Sequence, residues 1–307
     1  MKGETDYSLQ YFTLKALSAG SFSHTNVPVD YSTDGGKTWT TLNAGSSTPT
    51  VQAGTKVMFR GTITPSTSYG VGTFTGTNNF VAEGNVMSLL YGDNFVGQVD
   101  LTGKNYAFYT LFFGASYLQD AKNLLLPATT LANYCYFAMF YNCTSLMTAP
   151  ELPATTLSYG CYSEMFNGCT SLIVAPELPA TTIATNCYGR MFYGCTSLTT
   201  AASELPATTL TDFCYYYMFY GCTSLTVAPE ISAIYLSSSC CSYMFYNCSK
   251  LNYIKAMFIS TPSSSYTGSW VSGVASSGTF VKNSAATWNV RGINGIPSRW
   301  TVQTASS

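Results

Sequence analysis

The cysteines are the residues of this chain with the most evident chemical potential. Ten of the eleven fall into two series that repeat along the chain: Cys135, Cys161, Cys187, Cys214, Cys240 and Cys143, Cys169, Cys195, Cys222, Cys248. Paired members stand eight residues apart, and the only histidine, His24, lies outside both series. Zinc sites favour cysteines about two to four residues apart with histidine support. We therefore predict buried thiols that act as small apolar side chains, with no metal and no cofactor, and keep disulfide or metal roles as the lesser alternative. The eleventh, Cys241, is the candidate for an exposed thiol.

Nucleophilic catalysis would need a base beside a serine or a cysteine. A Ser-His-Asp or Cys-His site within the cysteine series is excluded, because the single histidine lies outside them. Neither a P-loop nor a G-x-G-x-x-G turn occurs. A glycosidase with paired carboxylates needs no motif, because two acids can meet in space. We expect a protein that is not an enzyme, with a carbohydrate-active enzyme or a peptidase as the lesser alternative.

One segment does match a motif of an enzyme class. Residues 32–39 read S-T-D-G-G-K-T-W and fit the Asp-box pattern S-x-D-x-G-x-T-W of sialidase-like propellers. Asp boxes are turn elements even in those enzymes, and a propeller would need several of them, whereas this chain has one. We interpret the segment as a β-hairpin in which Asp34 bonds the turn and Trp39 packs beneath it.

Two further series suit binding. One is acidic and consists of Glu151, Glu177, Glu204 and Glu230. Stacked at a strand spacing of about 4.8 Å, neighbouring carboxylates would repel each other by roughly 1 kcal/mol. The row could therefore bind a cation, a ligand or a partner. We favour the alternative that it is a polar row exposed to solvent. The other series, interrupted by Asn167, consists of Tyr141, Tyr193, Tyr220 and Tyr246. Each of these tyrosines follows a phenylalanine predicted to be buried and should point outward, where it would offer rigid contact area to a protein or a carbohydrate.

All of these series arise from one internal repeat. The pair Met-Phe recurs at steps of 26, 26, 27 and 26 residues, at Met139, Met165, Met191, Met218 and Met244. The unit reads C-Y-x-x-M-F-x-G-C-T-S-L-x-x-A-P-E-L-P-A-T-T-L, with four clear copies, a degenerate copy at Cys248 and a weaker copy from Leu111. The longer step falls where residues 201–204 replace the A-P-E of the preceding unit. A single unit cannot bury its apolar side, whereas stacked units can.

The unit resembles the BspA-like (Treponema-type) leucine-rich repeats of surface proteins from Bacteroides-type gut bacteria and from some of their phages. The likeness covers about residues 105–258. It implies a repeat solenoid with a parallel β-sheet and short helices, and a role in surface recognition or adhesion. We accordingly divide the chain into a β-sandwich-like domain (1–83), a connecting segment with the N-terminal cap (84–104), the leucine-rich-repeat solenoid (105–258) and a C-terminal β cap (259–307).

Apolar periodicity predicts which parts of the unit are buried. The Cys-Tyr-x-x-Met-Phe segment has apolar residues at i, i+4 and i+5, which predicts one to two turns of helix. We expect a buried aromatic column and, beneath the strands, a leucine column: Phe140, Phe166, Phe192, Phe219, Phe245 and Leu146, Leu172, Leu198, Leu225, Leu251. The segment after residue 258 holds three of the four tryptophans and is expected to be a hairpin that caps the stack.

Composition limits where the protein works. Only 9% of residues are charged and the net charge is −1, with no basic tract, which argues against nucleic-acid binding. No stretch approaches the ~18 apolar residues of a membrane helix, and the first residues lack the apolar core of a secretory signal. We expect an extracellular or cell-surface protein if a signal peptide was removed, and otherwise a phage virion protein. The expected partner is a protein or glycan on a cell surface. The alternative is a virion structural component, such as a capsid decoration or fibre protein, bound to other virion proteins.

Overall fold

The computed structural model describes residues 6–65 and 70–305, and most regular structure in that part of the chain is β. Helix is confined there to four single-turn segments: the α-helices α1 (Ser88–Tyr91) and α2 (Ser264–Thr267), and the 3₁₀ turns Tyr7–Leu9 and Gly92–Asn94. No helix of the described residues has the length and apolarity needed to cross a membrane. Parallel and antiparallel sheets are both present. The prediction of a β-rich chain is therefore confirmed.

Two sheets build the N-terminal part. Six strands form a mixed sheet in the order β4-β3-β5-β1-β7-β8, and β2 pairs with β6 separately. The strands are β1 (Phe12–Ala16), β2 (Phe22–His24), β3 (Val29–Ser32), β4 (Thr40–Leu42), β5 (Lys56–Arg60), β6 (Phe74–Gly76), β7 (Phe80–Asn85) and β8 (Leu118–Leu125). Phe74 of β6 lies edge-on to Phe12 of β1 at 5.0 Å and to Phe59 of β5 at 4.9 Å. A buried aromatic core thus joins the two sheets.

The six-stranded sheet runs across the predicted boundary between residues 83 and 105. β7 pairs in parallel with β8, which belongs to the first repeat unit. The Val71 N–H donates to the Ala107 carbonyl (3.1 Å), and the Phe74 N–H donates to the Leu111 carbonyl (2.7 Å). The N-terminal part and the first unit therefore form one continuous structure. Cutting the chain between them would expose a sheet edge.

Successive repeat units lie side by side in parallel. Two lines of backbone bridges run through them, one at Asp100, Thr130, Thr156 and Thr182 and the other at Asp120, Thr148, Val174 and Thr200. Towards the C-terminus a five-stranded parallel sheet forms in the order β13-β12-β11-β10-β9. Its strands are β9 (Glu204–Leu205), β10 (Glu230–Ile231), β11 (Tyr253–Ala256), β12 (Thr279–Lys282) and β13 (Thr301–Thr304). Each unit covers its neighbour, which is how units too small to bury their own apolar side share a core.

The segment predicted to be helical is instead a stack of β-turns. Alternate N–H groups donate to the next unit, as Tyr136 does to Cys161 (3.0 Å) and Ala138 to Ser163 (2.9 Å). The N–H groups between them close turns onto the carbonyl three residues back. A positive φ recurs every fourth residue, 50° at Ala138 for example, which a right-handed helix does not allow. The helical prediction is wrong because the backbone groups find their partners in the neighbouring unit.

Both predicted core columns are confirmed. The phenylalanine rings are fully buried and nearly parallel, with centroids 5.3–5.7 Å apart from Phe112 to Phe245. The leucine column is also fully buried. A second buried aromatic column, not predicted from the sequence, has rings 5.5–6.0 Å apart and consists of Phe108, Tyr136, Tyr162, Tyr188 and Tyr215. Stacked rings at these distances stabilise beyond their area burial, so the columns help to hold the units together.

The C-terminal segment covers the last unit, but it does not form the expected hairpin. β12 pairs in parallel with β11, and β13 pairs in parallel with β12. A hairpin requires antiparallel neighbours, so that prediction is wrong, and the strands continue the repeat sheet instead. The Trp270 ring ends the phenylalanine column at 6.0 Å from Phe245, and its indole N–H donates to the Gly295 carbonyl (2.8 Å). The segment thereby buries the last ring of the column.

Candidate functional site

All eleven cysteines are buried and free, including Cys241, the candidate for an exposed thiol. The prediction of buried thiols is confirmed for both series. In the second series each Sγ lies against a phenylalanine carbonyl of the preceding unit, as Cys169 does on Phe140 (3.1 Å). Cysteine suits this position because it is small and apolar yet can donate weakly to a carbonyl. Burial raises the pKa of Cys135 to about 12, so the nucleophilic thiolate is disfavoured at neutral pH.

The single histidine is part of the core. His24 is fully buried, its ring lies 4.2 Å from that of Phe74, and its two ring nitrogens lie 2.9 Å from the carbonyl oxygens of Val27 and Val71. Burial lowers the pKa of His24 to about 4, although both carbonyl contacts favour the protonated ring. The imidazole therefore ties two backbone segments together and is closed off from solvent.

The Asp-box segment is a hairpin turn between β3 and β4, as interpreted from sequence. Oδ1 of Asp34 accepts from the N–H groups of Lys37 and Thr38, both at 3.0 Å, and Oδ2 accepts from the Thr38 hydroxyl at 2.6 Å. The hydrogen bonds from Thr38 hold the pKa of the Asp34 carboxyl well below its usual range. Trp39 packs under the Arg60 guanidinium at 4.2 Å. The carboxylate is thus engaged in forming the turn.

The C-terminal half of the glutamate row lies in one sheet. Glu204 and Glu230 pair in register on adjacent parallel strands. Nζ of Lys255 lies 2.8 Å from the Glu230 carboxylate, and the Ser232 hydroxyl donates to Glu204. These contacts partly offset the repulsion between the two carboxylates. In this half of the row, both carboxylates are therefore bonded by neighbouring side chains.

The N-terminal half of the row contains one engaged carboxylate and one that no group of the described residues bonds. Glu177 accepts from the Ser203 N–H (3.0 Å) and from the Ser203 hydroxyl (2.7 Å). Ser203 belongs to the segment that lengthens one repeat step, so the insertion contributes a contact between units. Glu151 is exposed, and no group of the described residues bonds its carboxylate. Within residues 6–65 and 70–305, no cluster of three or more His, Cys, Asp or Glu side chains could hold a metal ion. A binding role for the row stays a prediction.

A groove of about 510 Å³ lies beside Glu151 and Glu177. Its walls include four prolines from two successive units, Pro150, Pro153, Pro176 and Pro179. Val174, which is 51% exposed, also lines it. The groove is a largely apolar surface with two acidic groups and one basic group, Lys122, at its side.

The tyrosine row is a column of stacked rings on the outside of the turn stack. Tyr193 and Tyr220 lie 4.6 Å apart with parallel planes (0°), and Tyr220 and Tyr246 lie 5.0 Å apart (1°). Near the other end, Tyr141 lies 4.8 Å from Phe113 (2°), a ring that sequence analysis missed. These five rings, which we call the aromatic row, are partly exposed, whereas the phenylalanines that precede the tyrosines are fully buried. The predicted outward orientation of the tyrosines is confirmed.

The aromatic row has one gap, at Asn167, between Tyr141 and Tyr193. A pocket of about 480 Å³ opens there, lined by Tyr141, Asn167, Tyr193, Glu164, Arg190 and Tyr217. Glu164, Arg190 and Tyr217 were not singled out from sequence, because this position differs in type from unit to unit. All three have positive φ, between 54° and 58°, and each stands three residues before a position of the row. The four-residue period of the turns, had it been recognised, would have placed these three residues beside the aromatic row.

The chain matches no protein-family model, and no curated protein or solved structure is significantly similar to it.

Proposed function

We propose that this chain is a non-enzymatic recognition protein of the BspA-like leucine-rich-repeat type, which binds a protein or glycan on a cell surface through its repeat face. Its architecture is a solenoid of stacked units between an N-terminal β-sandwich and a C-terminal β cap. One observation carries the proposal. The aromatic row presents partly exposed, parallel rings, 4.6–5.0 Å apart wherever adjacent units both supply one.

The regular stacking of the units supports the solenoid. Bridging residues advance by one repeat at a time, from Thr130 to Thr156 to Thr182. A leucine and a phenylalanine of each unit enter the same two buried columns. Repeat proteins gain stability in this way, because each unit contacts only its neighbours and buries its apolar side against them.

The aromatic row suits recognition because its rings are held in place before a partner arrives. The backbone beneath them is bonded between units, as the Gly221 N–H is to the Tyr246 carbonyl (2.8 Å). Each ring also stacks on its neighbour, so little side-chain freedom remains to be lost on binding. Tyrosine combines an apolar face with a polar tip, which fits protein surfaces and sugar rings.

The groups that could do chemistry have structural roles, which supports recognition over catalysis. The thiols are buried, and burial raises the pKa of Cys135 to about 12. His24 is held between two backbone carbonyls, and Asp34 closes a turn.

A binding screen with the full chain tests the proposal. The immobilised protein is exposed to glycan arrays, to intact bacterial and host cells, and to purified phage particles. The row variant combines Tyr220→Ser and Tyr246→Ser. The matched control combines Tyr159→Ser and Tyr235→Ser, which are 41% and 58% exposed and lie outside the row. We expect the row variant to bind at least about tenfold more weakly, because interface tyrosines often contribute more than ~1.4 kcal/mol, and the control to bind normally.

Three results would contradict the proposal. Loss of binding on replacing the four glutamates by alanine, with the row variant unaffected, would assign recognition to the glutamate row. Binding to phage particles alone would favour the virion component. Turnover of a glycan, lost on replacing one carboxylate, would make the protein an enzyme.

A further inference from the structure

The gap in the aromatic row has the dimensions of one missing ring. Rings from adjacent units lie 4.6–5.0 Å apart. Tyr141 and Tyr193 are two units apart, so about 10 Å separates their ring centres, twice the strand spacing of ~4.8 Å. A ring placed midway would lie about 5 Å from each, within the ~4.5–7 Å range in which offset rings stack.

The floor of the gap carries a polar group that the fold leaves unused. Asn167 is 9% exposed. Its backbone N–H donates to Glu164 (3.1 Å), and its carbonyl accepts from Asn142 (2.7 Å). Its side-chain amide makes no hydrogen bond with the residues that the structure describes, and it lines the same pocket as the two tyrosine rings. The amide is not among the side-chain N and O atoms of the described residues that are sealed from solvent without a partner, so it is reached from the pocket and can hydrogen-bond a ligand there.

We propose that the gap is a slot for one aromatic side chain of a partner protein, and that a tyrosine fits it best. Its ring stacks between Tyr141 and Tyr193, and its hydroxyl bonds the amide of Asn167. The proposal rests on the proposed function and adds the chemical class of the group that is recognised.

Three features of the slot favour a phenol. A side chain that enters from solvent arrives tip first, so the tyrosine hydroxyl reaches the floor, where an amide can both donate and accept. Both walls are flat π faces, whereas a sugar ring is puckered and carries hydroxyl groups that the walls would strip of water. The charged groups of the pocket, Arg190 and Glu164, pair with each other at 3.3 Å. The slot therefore offers no net charge and suits a neutral ring.

Small probes test the slot on the full chain. N-acetyl-L-tyrosinamide is titrated and followed by NMR, through saturation transfer to the probe and through the side-chain amide signals of asparagine. N-acetyl-L-phenylalaninamide lacks the hydroxyl, and methyl β-D-glucopyranoside lacks the flat ring. We expect one tyrosine probe per chain. The phenylalanine probe should bind about tenfold more weakly, the usual effect of one lost hydrogen bond, and the sugar should show no saturable binding.

Three single substitutions of the row make the test specific. Asn167→Tyr fills the slot with a ring of this chain and should abolish probe binding. Asn167→Ala keeps the space but removes the amide, and should weaken the tyrosine probe about tenfold, to the level of the phenylalanine probe. Tyr220→Asn opens an equivalent gap between Tyr193 and Tyr246, and should raise the stoichiometry from one probe to two.

Unchanged probe binding in Asn167→Tyr would overturn the slot, and so would a sugar that binds more tightly than the tyrosine probe. The variants also separate the slot from the proposed function. If Asn167→Tyr keeps full binding to the cell or glycan partner while the Tyr220→Ser, Tyr246→Ser variant loses it, the slot has no part in recognition and the aromatic row stands. If neither variant affects that partner, both proposals fail.

Discussion

Replacing Asn167 by tyrosine should stabilise this protein, although it places a large side chain where a small one lies. In the other units the same position holds an aromatic ring, a phenylalanine in the first unit and a tyrosine in the rest, that stacks on its neighbours, as Tyr220 does on Tyr193 (4.6 Å) and Tyr246 (5.0 Å). Asn167→Tyr would complete the row. The change breaks no side-chain hydrogen bond, because the amide has no partner among the described residues.

The size of the effect follows from the ring pairs that would form. Two new stacked pairs, with Tyr141 and with Tyr193, contribute about 0.5–1.5 kcal/mol each. Ordering the new side chain costs about 1 kcal/mol. We expect the free energy of unfolding to rise by about 1 kcal/mol, and the melting temperature to rise by about 2–4 °C, as found for large domains. Tyr220→Asn removes two such pairs and should lower the free energy of unfolding by a similar amount.

Urea unfolding followed by tryptophan fluorescence measures both variants, because Trp270, Trp288 and Trp300 are buried. Their m-values should equal that of the parent protein, so that the shift in midpoint reports stability. If Asn167→Tyr and Tyr220→Asn both lower the free energy of unfolding, the reasoning is refuted, because the gap then lacks room for a ring. Equal stability of all three proteins would refute the contribution of stacking in the row.

Three further predictions concern other parts of the molecule. Burial of all eleven thiols predicts that a thiol reagent labels none of them in the native protein and all of them in denaturant, and fast native labelling would contradict this. Burial lowers the pKa of His24 from 6.5 to about 4. The folded state then favours the neutral ring. The contribution of His24 to the free energy of unfolding is therefore fully present above pH 6.5, and up to about 3 kcal/mol of it is lost as the pH falls towards 4. The single imidazole signal in NMR checks this, and a midpoint near 6.5 would contradict it. Glu177→Ala removes two hydrogen bonds from Ser203 and should cost about 1 kcal/mol in urea unfolding, whereas Glu151→Ala should change stability by less than about 0.5 kcal/mol. Equal effects of the two would assign no role to the contact with Ser203.

The sequence was sufficient to predict which residues are stacked, because a repeat brings equivalent positions together whatever the local backbone does. The phenylalanine, leucine and cysteine columns depend only on the 26-residue step, and all are buried. The local backbone was harder to predict. Apolar residues at i, i+4 and i+5 suit a helix and also suit turns that repeat every four residues. Asn or Gly at 142, 168, 194, 221 and 247 was the available signal, since these residues tolerate the positive φ that the turns require.

The aromatic row was predictable for a similar reason, but its pocket was not. A residue that follows a buried phenylalanine must point away from the core, so the tyrosines were placed correctly. The sequence also marked the interruption at Asn167. It did not indicate whether neighbouring side chains close over such a gap or leave it open. That outcome depends on Glu164 and Arg190, which pair with each other, and on Tyr217, which stacks on Tyr243 (4.5 Å).

Departures from the repeat are the places where this structure is most informative. Identical units stabilise one another most when each column is complete, so a substitution that breaks a column carries a cost unless the fold compensates for it. Two departures are compensated. Ser203, in the longer step, bonds Glu177, and Cys241, which replaces a column tyrosine, is fully buried. Asn167 is the exception of the three, because it leaves an open pocket and an amide without a partner among the described residues. An open space of one ring's width between two fixed rings, with an amide that a ligand can reach, is a surface ready for a partner's side chain, which makes this gap the first place to look for the partner.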